Sequence, residues 1–281
     1  ALGLLLKRFH PMKLVTTVHG WVHHTARTPL YYRVDKFCLP RYEKVICVSD
    51  DLYAECRRIG VSARRCELVE NAIDLDDYSR TLAPDQAKAK LGLPANGFLV
   101  GAVGRLEPEK GFDVLIRALA DLVRRGEDVS LIVVGEGGDR ARLEALAAEL
   151  AIGPRVRLVG WQSDVRPYFE AMDLFALSSF REGLPNVLLE AMALQTPCVA
   201  TRINGVPKLV QDGRNGLLVP PGDVAALANA IFAMTANADL RHVFRNAGRK
   251  TVEIRHSFPA RMRRLKAIYD DLLDRKESPA P

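Results

Sequence analysis

Two short stretches hold residue types at spacings that suit a diphosphate and a sugar. The first is Gly104-Arg105-Leu106-Glu107-Pro108-Glu109-Lys110-Gly111, which follows the apolar run GFLVGAVG. Arg105 and Lys110 therefore lie in the loop beyond a strand end, before a helix that begins near Gly111. Two fixed cations there could bind a diphosphate and stabilise it as it leaves; a pair of solvated surface cations is the alternative. The second stretch runs from Ser178 to Glu190 and follows the apolar run LFALS. Gly183 lets a ligand approach the backbone. Pro185 suits a first helical position, where a missing N–H costs little. The N–H groups of the following turn, from Asn186 onward, form an anion site aided by the helix dipole. Glu182 precedes the helix and Glu190 lies in it. A carboxylate accepts hydrogen bonds from a vicinal diol, so one of the two acids could hold a ribose and the other a sugar. The alternative is a capped helix with two stray acids.

These side chains need a frame that sets strand ends beside one another. From about residue 97 short β-rich runs alternate with amphipathic helices: GFLVGAVG, FDVLIRALADLVRRG stopped by Gly126, SLIVVG, RARLEALAAELAI, RVRLVG, DVRPYFEAM, LFALS, NVLLEAMAL and CVAT. GLLV and a helix from Asp223 to about Met234 close the series. That alternation means βαβ units, right-handed crossovers and a doubly wound parallel sheet, with ligands at the carboxyl ends of its strands. KLVTTVHG, KVICVS, DDLYAECRRIG and CELVENAID form a shorter α/β series before a polar boundary near Asp74 to Pro84. The domains expected are 1–78, 79–255 and a terminal helix and tail over 256–281, the helix running from about Phe258 to Leu273. The first holds about half the elements of an independent Rossmann-like domain.

Composition narrows the class. Over 281 residues the chain is 48% hydrophobic, ordinary for a globular protein, and its longest apolar runs fall far short of a membrane span. The start, ALGLLLKRF, is apolar then basic, the reverse of a signal peptide's order. Its first residue, Ala, fits a processed or incomplete reading frame. Five cysteines without a C-x-x-C pair read as reduced thiols. The net charge of +6 comes largely from Arg249, Lys250, Arg255, Arg261, Arg263, Arg264 and Lys266. That cluster reads as a solvated basic helix, with no nucleic-acid motif beside it; peripheral contact with an anionic membrane is the other reading. The setting expected is the cytoplasm, at the inner face of the membrane where such contact is made.

Together the motifs resemble glycosyltransferase family 4, the group 1 retaining glycosyltransferases of GT-B fold. Glu182-Gly183-Leu184-Pro185 through Glu190 resembles their E-x7-E motif. Gly104-Arg105 with Lys110-Gly111, then VVGEGG, LVGW and GVPKLVQDGRNGLLVPPGD, match in order and spacing. VHG, VSD and NAID resemble later parts of the family's first domain, so the likeness covers essentially the whole chain. The fold implied is α/β, GT-B type, with two Rossmann-like domains, the N-terminal one incomplete because the family's early glycine-rich loop is absent. A second departure is Lys208, where many members carry Glu.

The resemblance implies roles. Glu190 would bind the ribose, Glu182 the donor sugar, and Arg105 and Lys110 the diphosphate beside Gly104. Gly183, Leu184, Pro185, Asn186 and Val187 would supply backbone contacts. Gly160, Trp161 and Gln162 would lie near the base, and His19 would stand across the cleft near the transferred sugar; a histidine that caps a turn is the alternative for it. His23 and His24 lie nearby without motif support. The activity implied is transfer of a sugar, with retention, from a UDP- or GDP-linked donor to a sugar or lipid-linked acceptor, in polysaccharide, lipopolysaccharide or glycolipid biosynthesis. No cofactor is expected, since no D-x-D segment or metal-ligand set stands out and fixed cations can carry the leaving group. A non-catalytic nucleotide-sugar-binding remnant is the alternative. A dinucleotide oxidoreductase is disfavoured: Arg140 replaces the third glycine after Gly135-Glu136-Gly137-Gly138, and paired glutamates have no part in hydride transfer.

Overall fold

The computed structural model describes residues 2–19, 28–94 and 96–274. Its first unit takes Ala1–Asn71 together with Phe258–Pro281, and its second takes Ala72–Ser257. The first unit holds helices α1 (Leu2–Leu6), α2 (Thr28–Cys38) and α3 (Asp50–Arg58) and strands β1 (Val15–Val18), β2 (Lys44–Cys47) and β3 (Cys66–Leu68). These strands pair in parallel in the order β1-β2-β3. Alternate residues of β2 face opposite sides, as the two-residue period of a strand requires. Val45 and Cys47 join Leu39, Cys56, Val61 and Cys66 in one cluster. Ile46 meets Val69 and Ile268 in another.

Ile268 belongs to α12 (Phe258–Asp274), the terminal helix, which covers that second face. Lys44, only 3% exposed, is held by Glu67 at 2.8 Å and Asp271 at 3.2 Å. Arg264 reaches Glu67 at 2.8 Å. The basic end of the chain is thus in part a docked, ion-paired helix rather than a wholly solvated one. All five cysteines are buried free thiols.

The second unit carries α4 (Pro84–Lys90), β4 (Phe98–Val103), α5 (Phe112–Arg124), β5 (Val129–Val134), α6 (Arg140–Glu149), β6 (Val156–Leu158), α7 (Arg166–Ala171), β7 (Leu174–Leu177), α8 (Asn186–Ala193), β8 (Cys198–Thr201), α9 (Val206–Leu209), β9 (Leu217–Val219), α10 (Val224–Ala236) and α11 (Ala238–Arg255). Its six strands, counted among the described residues, are all parallel in the order β6-β5-β4-β7-β8-β9. Both faces are covered, which is why the strands read as continuous apolar runs. Val100, Ala102, Leu131, Val133, Leu174 and Ala176 meet α5, α6 and α10 on one side. Leu99, Ile132, Val134, Phe175 and Leu177 meet α7 and α8 on the other. Each fully buried Leu, Ile or Phe of these layers contributes about 1.5–3 kcal/mol.

Helix α11 is an element the sequence patterning left out. Its buried positions, Phe244, Gly248 and Val252, recur every four residues among arginines, so the apolar stripe is one residue wide. Asn237 caps it, its side chain accepting from the Leu240 N–H at 2.9 Å. Arg249 then donates to the carbonyls of Tyr78 at 2.7 Å and Ala193 at 2.8 Å. The segment read as a polar boundary is anchored in the same way. Arg80 donates to the carbonyls of Leu194 (2.7 Å) and Glu170 (2.8 Å) and to the Thr196 hydroxyl (3.1 Å). Burial, and then the nearby Arg245, lowers its guanidinium to about 10.

Candidate functional site

Strands β4 and β7 are hydrogen-bonded neighbours although β5 and β6 separate them in sequence. The strand order reverses between them, and the crevice beyond their carboxyl ends is where an open parallel sheet takes ligands. Both stretches singled out in the sequence start there. After β4 comes a 3₁₀ turn, Pro108–Lys110, and then Gly111 at φ 62°, in the left-handed region. A Cβ on Gly111 would lie 2.3 Å from the Ser178 carbonyl oxygen, so glycine lets the two loops close on each other. Three bonds hold them. The Phe180 N–H donates to the Glu109 carbonyl at 2.8 Å, the Ser178 hydroxyl to the Lys110 carbonyl at 2.9 Å, and Lys110 Nζ to Glu182 Oε1 at 2.7 Å.

The two cations part company. Lys110 turns inward, its side chain 17% exposed against 11% for Glu182. Its aliphatic stem lies beside Gly104, 3.7 Å from where a Cβ would stand. Arg105 turns outward, 72% exposed, and pairs with Glu109 at 3.0 Å. Glu182 is fixed from other sides as well. The Ser179 hydroxyl donates to Oε1 at 2.7 Å, and the Asn204 side-chain amide donates to the Glu182 carbonyl at 2.9 Å. Asn204 sits at φ 34°, a conformation asparagine tolerates better than most residues. Pro185 is the N-cap residue of α8 and Asn186 its first helical residue, so the proline stands one place earlier than its type suggests. No side chain caps that end of α8, and its first-turn amides together with the helix dipole suit an anion. Gly183 and Asn186 are exposed there, while Leu184 and Val187 are half-buried against the α8 side of the core.

The loops after β5 and β6 join at Gly135 and Gly160, where the Gly135 N–H donates to the Gly160 carbonyl at 2.9 Å. Arg140 clamps this corner, gripping Glu136 at 2.6 Å and the Leu158 carbonyl at 3.3 Å. The residue in the place of a third glycine is therefore structural. Beyond it Trp161 is 74% exposed, a large apolar face open to solvent. Gln162 donates to the Val159 carbonyl at 3.2 Å.

Glu190 lies one turn into α8, about 6 Å along the axis from its start, and is half-buried. Burial pushes its carboxyl above the usual carboxylate range, and the nearby Tyr78 hydroxyl works against that rise. Tyr78 itself is pushed up by burial and then by Glu190. A diol donating to Glu190 binds the ionised form. Diol affinity should therefore rise as pH passes through the raised Glu190 value and level off above it. Glu190→Ala is expected to weaken nucleoside diphosphate binding by about 1.5–3 kcal/mol, and Glu190→Gln to remove that part of the pH dependence. Calorimetry with UDP and GDP between weakly acidic and neutral pH measures both. The nucleotide's own phosphate ionisation is common to all variants and cancels in the comparison. Unchanged affinity in Glu190→Ala would take Glu190 away from the ribose.

His19 follows β1 in the first unit and is exposed. His23, His24 and the Gly20 of the VHG motif lie outside the described residues. Ser179, Tyr78, Asn204 and Arg249 are the contacts that sequence reasoning missed. The Asn204-Gly205 pair is a turn signal that could have marked the loop after β8; Tyr78 and Arg249 carry no local signal. Among the described residues no group of three or more His, Cys, Asp and Glu could hold a metal.

Residues 84–251 match the family model described as "Glycosyl transferases group 1". Residues 1–77 match the one described as "Glycosyltransferase Family 4". The lipopolysaccharide core biosynthesis glycosyltransferase LpsE of Rhizobium meliloti is 41% identical over 202 residues, 70% of this chain. The chain spans 58% of the length of LpsE. The UDP-Gal:alpha-D-GlcNAc-diphosphoundecaprenol alpha-1,3-galactosyltransferase of Escherichia coli is 27% identical over 94% of this chain and 70% of its own length. Among solved structures, Anabaena Alr3699/HepE in complex with UDP and glucose is similar at a TM-score of 0.80 and 26% identity, over 96% of this chain and 74% of that one.

Proposed function

We propose, for a chain that belongs to the group 1 glycosyltransferases and has their α/β fold of GT-B type, that it transfers a sugar from a nucleoside diphosphate donor to an acceptor hydroxyl with retained anomeric configuration. The observation that carries the reading is the Lys110–Glu182 pair, set with Ser179 at the carboxyl ends of β4 and β7. It brings a cation suited to a diphosphate and a carboxylate suited to sugar hydroxyls to one point of the crevice. Charge builds on the diphosphate as the glycosidic bond breaks, and Lys110, Arg105 and the first-turn amides of α8 stabilise it. Glu182 accepts from the sugar hydroxyls and Glu190 from the ribose. Trp161 offers a face for the base. No side chain is assigned as a nucleophile; the acceptor attacks on the face from which the diphosphate leaves, and the departing phosphate takes its proton.

The binding of UDP and glucose by HepE supports a UDP-linked donor, with a GDP-linked one as the other choice. LpsE's place in lipopolysaccharide core biosynthesis supports a role in cell-surface polysaccharide or glycolipid assembly. The diphosphoundecaprenol substrate of the Escherichia coli relative supports a sugar or lipid-linked acceptor, met at the cytoplasmic face of the membrane. Among the described residues no helix is long and apolar enough to cross a membrane.

The test is binding and turnover of labelled UDP- and GDP-sugars by the purified chain, with and without EDTA. The expected outcome is micromolar-range binding of one nucleotide class and donor turnover that survives chelation, because fixed cations rather than a metal carry the diphosphate. A strict requirement for Mg²⁺ or Mn²⁺ would remove the metal-free part of the reading. Binding without turnover would make the chain a nucleotide-sugar-binding module.

A further inference from the structure

We infer that Ser179 is a positioning residue: its buried hydroxyl holds Glu182 by one oxygen, leaves the other to the donor sugar, and keeps the carboxylate aimed when Lys110 turns to the diphosphate. The inference rests on the proposed placing of Glu182 against the sugar. Ser179 is 1% exposed, at the carboxyl end of β7. Its Oγ donates to Glu182 Oε1 at 2.7 Å, the same oxygen that Lys110 Nζ meets at 2.7 Å. Among the described residues no hydrogen bond goes to Oε2, and Oε2 is not among the buried atoms left without a partner. One carboxylate oxygen is thus doubly held and the other remains reachable.

Ser179 is itself buried and tethered by its neighbours. Thr201, also 1% exposed, donates its hydroxyl to the Ser179 carbonyl at 2.7 Å, and the neighbouring Ser178 hydroxyl is tied to the Lys110 carbonyl at 2.9 Å. Lys110 differs because its ammonium ends a flexible stem. A diphosphate carries more negative charge than one carboxylate and draws the ammonium toward itself. Glu182 then keeps a single side-chain donor on Oε1, the neutral hydroxyl of Ser179. A hydroxyl does this without adding a cation that would compete for the diphosphate. Recognition of the sugar, though not of the nucleotide, comes to depend on Ser179.

The measurement is the affinity of the full chain for UDP and GDP, and for UDP-glucose, UDP-galactose, UDP-N-acetylglucosamine and GDP-mannose. The quantity read is the gain in affinity that the sugar adds over the bare nucleotide. Ser179→Ala is expected to leave the nucleotide affinity within about twofold and to cut the sugar's gain about tenfold. In a Glu182→Ala background, where that gain is already lost, Ser179→Ala is expected to change nothing further. Ser179→Cys, close in size with a weak donor, should fall between, and melting curves of all variants check the fold. A purely structural serine would weaken nucleotide and nucleotide sugar alike, or act equally in the Glu182→Ala background; either result overturns the inference. So does a sugar gain that Ser179→Ala leaves intact, with the functional reading still standing. Failure of the unaltered chain to bind any of these nucleotides overturns the functional reading and this inference together.

Discussion

Lys110→Ala is expected to lower donor turnover about 10²- to 10³-fold while the affinity for the bare nucleotide changes only a few-fold. The asymmetry follows from where the charge goes. In the ground state the diphosphate already has its charge spread and solvated. In the transition state more accumulates on the oxygen that leaves, close to the Lys110 ammonium, and only interactions that strengthen on the way raise turnover. Lys110 is the cation that meets Glu182 at 2.7 Å at the mouth of the crevice, and it is the less exposed of the two cations there. Arg105→Ala should cost less, because its side chain is 72% exposed and shared with Glu109, where water screens it. Single-turnover hydrolysis and steady-state kinetics with a nucleotide sugar separate the two parameters. A rise in KM alone for Lys110→Ala, with kcat kept, would mean that Lys110 anchors the donor and does not stabilise the leaving group.

Gly135→Ala should unmake the same crevice from its other side. Gly135 ends β5 at φ 148°, and a Cβ there would lie 1.8 Å from the carbonyl oxygen of Gly104 and 2.8 Å from its carbonyl carbon. Both are backbone atoms, so no flexible side chain can give way. The ends of β4 and β5 must part, which breaks the bond from the Gly104 N–H to the Val134 carbonyl (3.0 Å) and that from the Gly135 N–H to the Gly160 carbonyl (2.9 Å). A destabilisation of about 3 kcal/mol or more is expected, lowering Tm by roughly 6–12 °C in a unit of this size. Nucleotide affinity should collapse with it, since Arg105 follows β4 and the Gly160–Gln162 segment after β6 is tied to Gly135 through the bond that breaks. Gly138→Ala is the control: a Cβ there meets nothing within 4 Å, and its melting temperature should barely move. A Gly135→Ala chain that melts within 2 °C of the unaltered one would show that the β4 and β5 ends need not touch.

Much of the second unit was legible without coordinates. Strands buried on both faces read as unbroken apolar runs, and Gly126 stops α5 at φ 91° where the sequence placed its end. Helix α11 was not legible, because one apolar residue per turn among arginines looks like a solvated surface until Phe244 and Val252 are seen at 1% and 0% exposure. The segment from Asp74 to Pro84 looked like a linker for the same reason. Its polarity is that of Arg80, whose donors are consumed by carbonyls more than 80 residues away in sequence.

By itself the sequence determined the parallel α/β frame, the presence of Arg105, Lys110 and Glu182 after strand ends and that of Glu190 in the following helix, because those follow from periodicity and from residue types at short spacing; the likeness to the family came from its motifs. Tertiary structure alone decided which of them meet. The β4 and β7 loops lie about 70 residues apart in the chain, and only the strand order β6-β5-β4-β7-β8-β9 sets them side by side. That order brings Lys110, not Arg105, onto Glu182, puts a buried serine hydroxyl beneath the carboxylate and turns Tyr78 toward Glu190. Spacing along a chain fixes the contacts within a helix or a turn. Contacts between loops depend on which strands are neighbours and on glycines that let backbones touch, and neither is written in the local pattern.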